Sequence, residues 1–246
     1  MVGAPDWLTR QPYAHRGLHD GERPENSRAA FAAAIEGGYG IECDVRLSAD
    51  GRAMVFHDTD LERLTGTAGK TAGKSVGQLT AMTLLGSNET IPTLRDVLAQ
   101  IAGSVPLLIE IKSDKDTNIQ RLCRAVRRDL EGYPANVAVM SFDPRVGRWF
   151  VKAMPDLARG LVITEEGART LSGAIKRRMS VRHARPMFLA YDIRDLPSRF
   201  AAGQAKRGLP LLTWTVRSAA QAETALECGA VPILEGAGVA AWDAAS

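Results

Sequence analysis

The chain has 246 residues, 45% of them hydrophobic and 24% charged, which is ordinary for a globular protein and excludes a disordered or fibrous one. Lys and Arg number 31 against 28 Asp and Glu, a net charge of +3, with no long single-sign run, so composition gives no ground for a nucleic-acid partner. The three cysteines, Cys43, Cys123 and Cys228, are odd in number and far apart. They suggest neither a disulfide framework nor a zinc site, and they fit a reducing compartment.

The first ten residues have neither the basic leader nor the apolar stretch of a secretory signal. No apolar run in the chain approaches the length of a membrane span. The expectation is a cytoplasmic protein without an integral membrane segment, its oligomeric state open. Strand and helix patterns then alternate. A strand over Pro12–His15 precedes a helix over Ser27–Glu36, with Ser27 placed as its N-cap. Strands follow over Gly40–Leu47 and Ala53–His57. Residues 58–91 are rich in Gly, Thr and Ser and poor in periodicity, and read as a long loop or small insertion capping a site.

Beyond it the spacing predicts helices over Thr93–Ala102, Thr117–Glu131, Pro144–Met154, Gly167–Met179, Leu196–Arg207 and Ala219–Glu227. They alternate with strands over Pro106–Ile111, Val137–Ser141, Gly160–Ile163, Met187–Tyr191, Pro210–Val216 and Val231–Leu234. The basic run Lys176–Arg185 reads as a solvated helix face. Alternation of this kind implies βαβ units and a parallel sheet. Eight or nine strands in this length fit a single TIM (β/α)8 barrel over residues 1–246, with the insertion at about 58–91.

In such a barrel, polar residues at the C-terminal ends of strands build the active site. Glu42 and Asp44 are two apart on a strand and share a face. Two carboxylates turned inward need partners; the segment alone leaves a hard divalent cation and salt bridges to Arg or Lys equally open. Glu110 and Lys112 repeat the spacing. A Glu–Lys pair is one reading; joined to Glu42 and Asp44, Glu110 becomes a third oxygen ligand and Lys112 a cation for an anionic substrate. His15 and His57 both sit at strand ends, and an imidazole pair near neutral pKa suits general acid–base work. Asp58 follows His57 directly and is open to two roles: orienting His57, or, since on a strand it would face away, capping the loop. His19 and His183 have no comparable context.

The ordered series His15-Arg16-Gly17, Pro24-Glu25-Asn26, Phe31, Glu42-x-Asp44, Asp50-Gly51, His57-Asp58, Ile91-Pro92-Thr93-Leu94, Glu110-Ile111-Lys112, Ser141-Phe142 and Trp214-Thr215-Val216 resembles the glycerophosphodiester phosphodiesterase family. The resemblance runs from about Tyr13 to about Val216. It implies a TIM barrel, a divalent metal (Mg2+ or Ca2+), and hydrolysis of glycerophosphodiesters, small-molecule substrates, to sn-glycerol 3-phosphate and an alcohol. By the same resemblance Glu42, Asp44 and Glu110 hold the metal, His15 and His57 serve as acid and base, and Arg16 and Lys112 contact phosphate. Pro24-Glu25-Asn26 carries residues lining the site, with Asn26 bonding substrate or supporting His15. Trp214 is an apolar wall or, as readily, a core residue. The chain departs from the family's pattern at Arg217 and over Gly229–Gly236, where Glu235 stands in place of another polar group. Both departures bear on the leaving alcohol.

Two rivals use the same barrel: a lysophospholipase D-like lipid phosphodiesterase and a non-catalytic binding barrel. A third comes from Ala68–Ser75, which fits a loose phosphate-binding loop pattern. It lacks the buried strand such a loop must follow.

Overall fold

The computed structural model describes residues 3–245, so Met1 and Val2 of the N-terminal stretch lie outside the described residues. The chain divides into two compact units, one built from Arg16–Asn136 and the other from the segments on either side of it. The second unit opens with β1 (Tyr13–Ala14), after a short 3-10 turn at Asp6–Thr9.

The Arg16–Asn136 unit begins with α1 (Arg28–Glu36), whose first turn is closed by the Ser27 hydroxyl accepting from the Ala30 N–H at 3.1 Å. β2 (Gly40–Leu47) and β3 (Ala53–Val55) follow. They are antiparallel, with Val45 opposite Val55 and Leu47 opposite Ala53. β3 is therefore the return arm of a hairpin, unlike the parallel βαβ strand that alternation implies. Ser48–Gly51 makes the turn, with Gly51 at φ +85°, a conformation that favours glycine.

Residues 58–91 are more ordered than a linking loop. They hold α2 (Glu62–Thr65), a 3-10 turn at Thr71–Gly73 and α3 (Val76–Thr80). Leu61, Leu79, Leu84 and Ile91 join Met54 and Phe56 in a cluster of their own. Burying that apolar surface holds the insertion to the hairpin. The unit closes with α4 (Leu94–Ile101), entered through a reciprocal Thr93–Asp96 cap, then β4 (Leu107–Ile111) and α5 (Ile119–Leu130). β4 lies parallel to β2, with Glu42 opposite Leu108 and Asp44 opposite Glu110.

The second unit continues with β5 (Val137–Ser141), α6 (Pro144–Ala153), β6 (Ala158–Ile163), α7 (Leu171–Ala184), β7 (Phe188–Asp192), α8 (Arg199–Ala205), β8 (Leu211–Val216), α9 (Ala219–Glu227), β9 (Ala230–Leu234) and α10 (Ala237–Ala245). Its strands run parallel in the order β1-β9-β8-β7-β6-β5. Leu161, Ile163, Leu189, Tyr191 and Leu211 pack with Ala184 and Ala201 as its core. α7 runs to Ala184, five residues beyond the expected end, and α10 carried no expectation. α10 is Ala-rich and α7 carries apolar residues on more than one face, so neither shows a sharp one-sided apolar period.

Candidate active site

β2 and β4 bring three carboxylates together. Glu42, Asp44 and Glu110 are all buried, and one oxygen from each lies within 4.8 Å of the others. The cause is the register: the i, i+2 pair on β2 and the residue opposite Asp44 on β4 share one face. Burial first, then Asp44 and Glu110, push the Glu42 carboxyl well above the usual carboxylate range. Burial and Asp44 also raise Glu110, against the pull of Lys112.

Cations answer part of this charge. The Lys112 ammonium lies 2.7 Å from Glu110 and 3.1 Å from Asp44. Burial alone would lower its pKa, but the two carboxylates hold it above the ordinary lysine value. The Arg16 Nε lies 3.1 Å from Asp44, its Nη1 2.7 Å from Glu25, and its backbone N–H donates to Glu42 Oε2 at 3.1 Å. Salt bridges and a carboxylate cluster thus coexist here. Arg16 and Asn26 sit in the left-handed region at φ +57° and +58°, costly for side-chain-bearing residues. Gly17 follows at φ +80°, where a Cβ would come within 2.8 Å of the Ala30 backbone. Asn26 donates to Asp44 Oδ2 at 3.0 Å and accepts from the Asp44 N–H at 3.1 Å. Its function in the fold is to brace Asp44, a role its sequence context did not indicate.

His57 lies just beyond β3, where strand parity no longer applies. Its Nδ1 is 2.7 Å from Asp58 Oδ1, so of the two roles open to it Asp58 takes the one that faces the imidazole. Arg63 on α2 donates to Asp58 at 2.5 Å and to both Glu25 oxygens at 2.7 and 2.9 Å. A continuous line of charge-assisted bonds therefore runs His57–Asp58–Arg63–Glu25–Arg16. The Arg46 Nε bonds the His57 carbonyl at 2.6 Å while its Nη1 pairs with Asp114. Sequence reasoning missed Arg63 and Arg46, and it placed Glu25 only within a site-lining motif, without its arginine partners. Arg63 lies in a segment whose lack of periodicity hid its helical turn.

The residues fit a divalent cation. Glu42 Oε1 is buried with no hydrogen-bond partner, a costly arrangement for a carboxylate oxygen. Fully ionised, Glu42, Asp44, Glu110, Glu25 and Asp58 would carry five negative charges against the three cations bonded among them, Arg16, Lys112 and Arg63, and burial together with that imbalance raises the pKa of Glu42. An all-oxygen donor set with excess negative charge suits a hard ion.

The other unit carries His15, Glu235, Arg217 and Trp214. His15 follows β1 and extends its pairing through its N–H to the Leu234 carbonyl at 2.9 Å. Its Nδ1 lies 2.5 Å from Glu235 Oε2, and Arg217 holds both Glu235 oxygens at 3.0 Å. Burial opposes ionisation of Glu235, but the bonds from His15 and Arg217 hold its pKa far below the usual range. The two departures from the family pattern are thus one device, a carboxylate clamped by an arginine against an imidazole. The Trp214 indole N–H donates to the Ala190 carbonyl at 3.0 Å, and its ring meets Phe142 edge-on at 5.4 Å. It is half-buried, so neither the wall nor the core reading alone describes it.

Within Ala68–Ser75 the chain forms a 3-10 turn, and Ser75 caps the five-residue α3. α2 precedes it where a phosphate-binding loop needs a buried strand.

Residues 15–235 match the model of the Glycerophosphoryl diester phosphodiesterase family. The chain is 30% identical over 210 residues to probable glycerophosphodiester phosphodiesterase 2 of Mycobacterium tuberculosis, covering 81% of this chain and 71% of that one. A match at 41% identity to an uncharacterized protein of Bacillus subtilis covers 35% of this chain and only 38% of that protein. Among solved structures, an Oleispira antarctica phosphodiesterase in complex with the product sn-glycerol-3-phosphate superposes with a TM-score of 0.83 over 97% of both chains at 22% identity. A likeness of that extent assigns the fold class, and it is the TIM-barrel class expected from the sequence.

Proposed function

The chain belongs to the glycerophosphoryl diester phosphodiesterase family, and we propose that it hydrolyses glycerophosphodiesters to sn-glycerol 3-phosphate and an alcohol. The activity belongs to one domain spanning residues 1–246. The observation that carries this reading is the buried trio Glu42, Asp44 and Glu110 with Lys112 and Arg16 beside it. Carboxylates alone would repel a phosphodiester; carboxylates for a cation, flanked by two further cations, suit one.

Glu42, Asp44 and Glu110 are the residues that would hold a divalent ion, Mg2+ or Ca2+. When bound, such an ion supplies positive charge against the phosphoryl oxygens as negative charge builds there. Lys112 and Arg16 add to that charge and orient the phosphate. His15 and His57 form the acid–base pair. One takes the proton from the glycerol hydroxyl as its oxygen attacks phosphorus; the other protonates the departing alcohol oxygen, and the roles reverse when water opens the cyclic phosphate. A carboxylate on Nδ1 of each ring reserves Nε2 for these transfers. Trp214 offers an apolar face to the glycerol or head group. The free cysteines, two of them buried, suit a cytoplasmic enzyme.

Glycerophosphocholine turnover is the test. Wild type should release sn-glycerol 3-phosphate, and His57→Ala should lose at least about 10²-fold in kcat with an unchanged circular dichroism spectrum. Release of phosphocholine and free glycerol would overturn the reaction proposed, and wild-type turnover by His57→Ala would overturn its role.

A further inference from the structure

Helix α7 carries apolar residues on two faces. Val181 and Ala184 pack into the core with Leu161 and Leu189. On the opposite face, Leu171, Ile175 and Met179 follow one another at i, i+4 and i+8, a spacing that keeps them in one narrow stripe. They are exposed at 81%, 48% and 66%. A helix that already buries one apolar face gains nothing in folding from a second.

The surroundings of this stripe are cationic. At 100° per residue Lys176 and Arg178 fall on its two edges, and Arg182 continues it one turn on. A groove of about 1210 Å³ runs beside it, walled by Ile175, Met179 and Leu209 and rimmed by Arg148, Lys176 and Arg207, with no acidic residue in its lining. Arg145 also borders it, but is neutralised by Asp143 at 2.6 Å. Among the described residues, Arg148, Lys176, Arg178, Arg182 and Arg207 make no ion pair. Arg177 differs from these neighbours. It turns inward to Glu165 at 3.1 Å and lies over the Phe200 ring, so at this residue the basic run departs from the solvated face expected from the sequence.

An apolar stripe edged by unpaired cations needs an occupant with an apolar interior and a negatively charged surface. A second copy of the chain would set these cations against their own kind. A nucleic acid supplies the charge but leaves Leu171, Ile175 and Met179 in water. We propose that α7 docks the protein on the surface of an anionic phospholipid bilayer. Leu171, Ile175 and Met179 enter the boundary between head groups and acyl chains, while Arg148, Lys176, Arg178, Arg182 and Arg207 face lipid phosphates. Docking of this kind spans nothing; no helix among the described residues is long and apolar enough to cross a membrane. The proposal stands on this surface alone, independent of the diesterase reading.

Co-sedimentation of the full chain with vesicles of phosphatidylcholine, with and without phosphatidylglycerol, tests it. Wild type should pellet with the phosphatidylglycerol vesicles, and salt should weaken the binding. Arg178→Glu and Arg182→Glu should each lower affinity by about fivefold or more. Ile175→Ser with Met179→Ser should lower it at least as far, with glycerophosphocholine turnover unchanged in every variant. Equal binding to both vesicle types, or undiminished binding by the variants, would overturn the proposal. So would a dimer in sedimentation velocity that Ile175→Ser with Met179→Ser dissolves, because the stripe would then be covered by a second copy.

Discussion

The Asp58 carboxylate lies 2.7 Å from Nδ1 of His57, and Arg63 fixes that carboxylate from its other oxygen. A carboxylate on Nδ1 sets the tautomer and the plane of the ring, so Asp58 acts through His57 and not on substrate. Asp58→Ala should lower kcat by about 10- to 100-fold and leave KM for glycerophosphocholine nearly unchanged. Arg63→Ala should do the same more weakly, because it reaches His57 only through Asp58. Steady-state kinetics on the two variants decide this; wild-type kcat in Asp58→Ala removes the positioning role.

Glu235 does for His15 what Asp58 does for His57, at 2.5 Å and with Arg217 in the part of Arg63. Glu235→Ala should therefore lower kcat by about 10- to 100-fold, and Arg217→Ala by less. Glu235→Asp, which keeps the charge, should recover part of the loss. If Glu235→Ala raised KM alone, the residue would belong to substrate binding and not to His15.

The pH profile follows from His57. Burial lowers its pKa below the ordinary imidazole value of 6.5, helped by the charges of Lys112 and Arg16 and opposed by Asp44 and the bond from Asp58. With His57 as the base of the proposed pair, a role that requires the unprotonated ring, the depressed pKa keeps it competent into mildly acidic solution. The acid limb of kcat/KM should fall below pH 6.5, and lower still in Asp58→Ala, where a proton-stabilising bond is gone. A limb above 6.5 would assign it to another group.

Glu42 gives the metal-free protein a pH-dependent stability. Its folded pKa is raised, by burial and then by Asp44 and Glu110. A group with a raised folded pKa contributes stability that is complete below the unfolded value and is lost as pH rises through the folded one. Metal-free wild type should therefore melt at progressively lower temperature as pH rises from the acidic side toward neutrality. Glu42→Gln, with no proton to lose, should show a flatter curve. Thermal melts across that range read the difference, and parallel curves would contradict it.

Much of this site was legible in the sequence because strand parity is a local rule. Glu42 with Asp44, and Glu110 with Lys112, are each paired by spacing, and the register of β2 with β4 brings the two pairs together. What escaped depends on contacts between segments. β3 has the pattern of a parallel strand, and only its pairing with β2 reveals a hairpin. That pairing ends at Val55, which frees Asp58 from strand parity and lets it turn to His57. Arg63 sits on a helical turn too short to leave a period. Asn26 and Glu235 are polar residues in irregular or divergent segments, whose partners, Asp44 and His15, are 18 and 220 positions away. The exposed face of α7 was hidden differently: its apolar stripe is offset by the buried face behind it, and the two cancel in any one-sided pattern.

Removing and restoring metal tests the central claim most directly, that Glu42, Asp44 and Glu110 hold a divalent ion for phosphodiester hydrolysis. After exhaustive EDTA treatment and removal of the chelator, wild type should release no sn-glycerol 3-phosphate from glycerophosphocholine. Added Mg2+ or Ca2+ should restore the release in wild type, but at the same concentration not in Glu42→Gln. Undiminished release after EDTA, or full restoration in Glu42→Gln, would contradict the account.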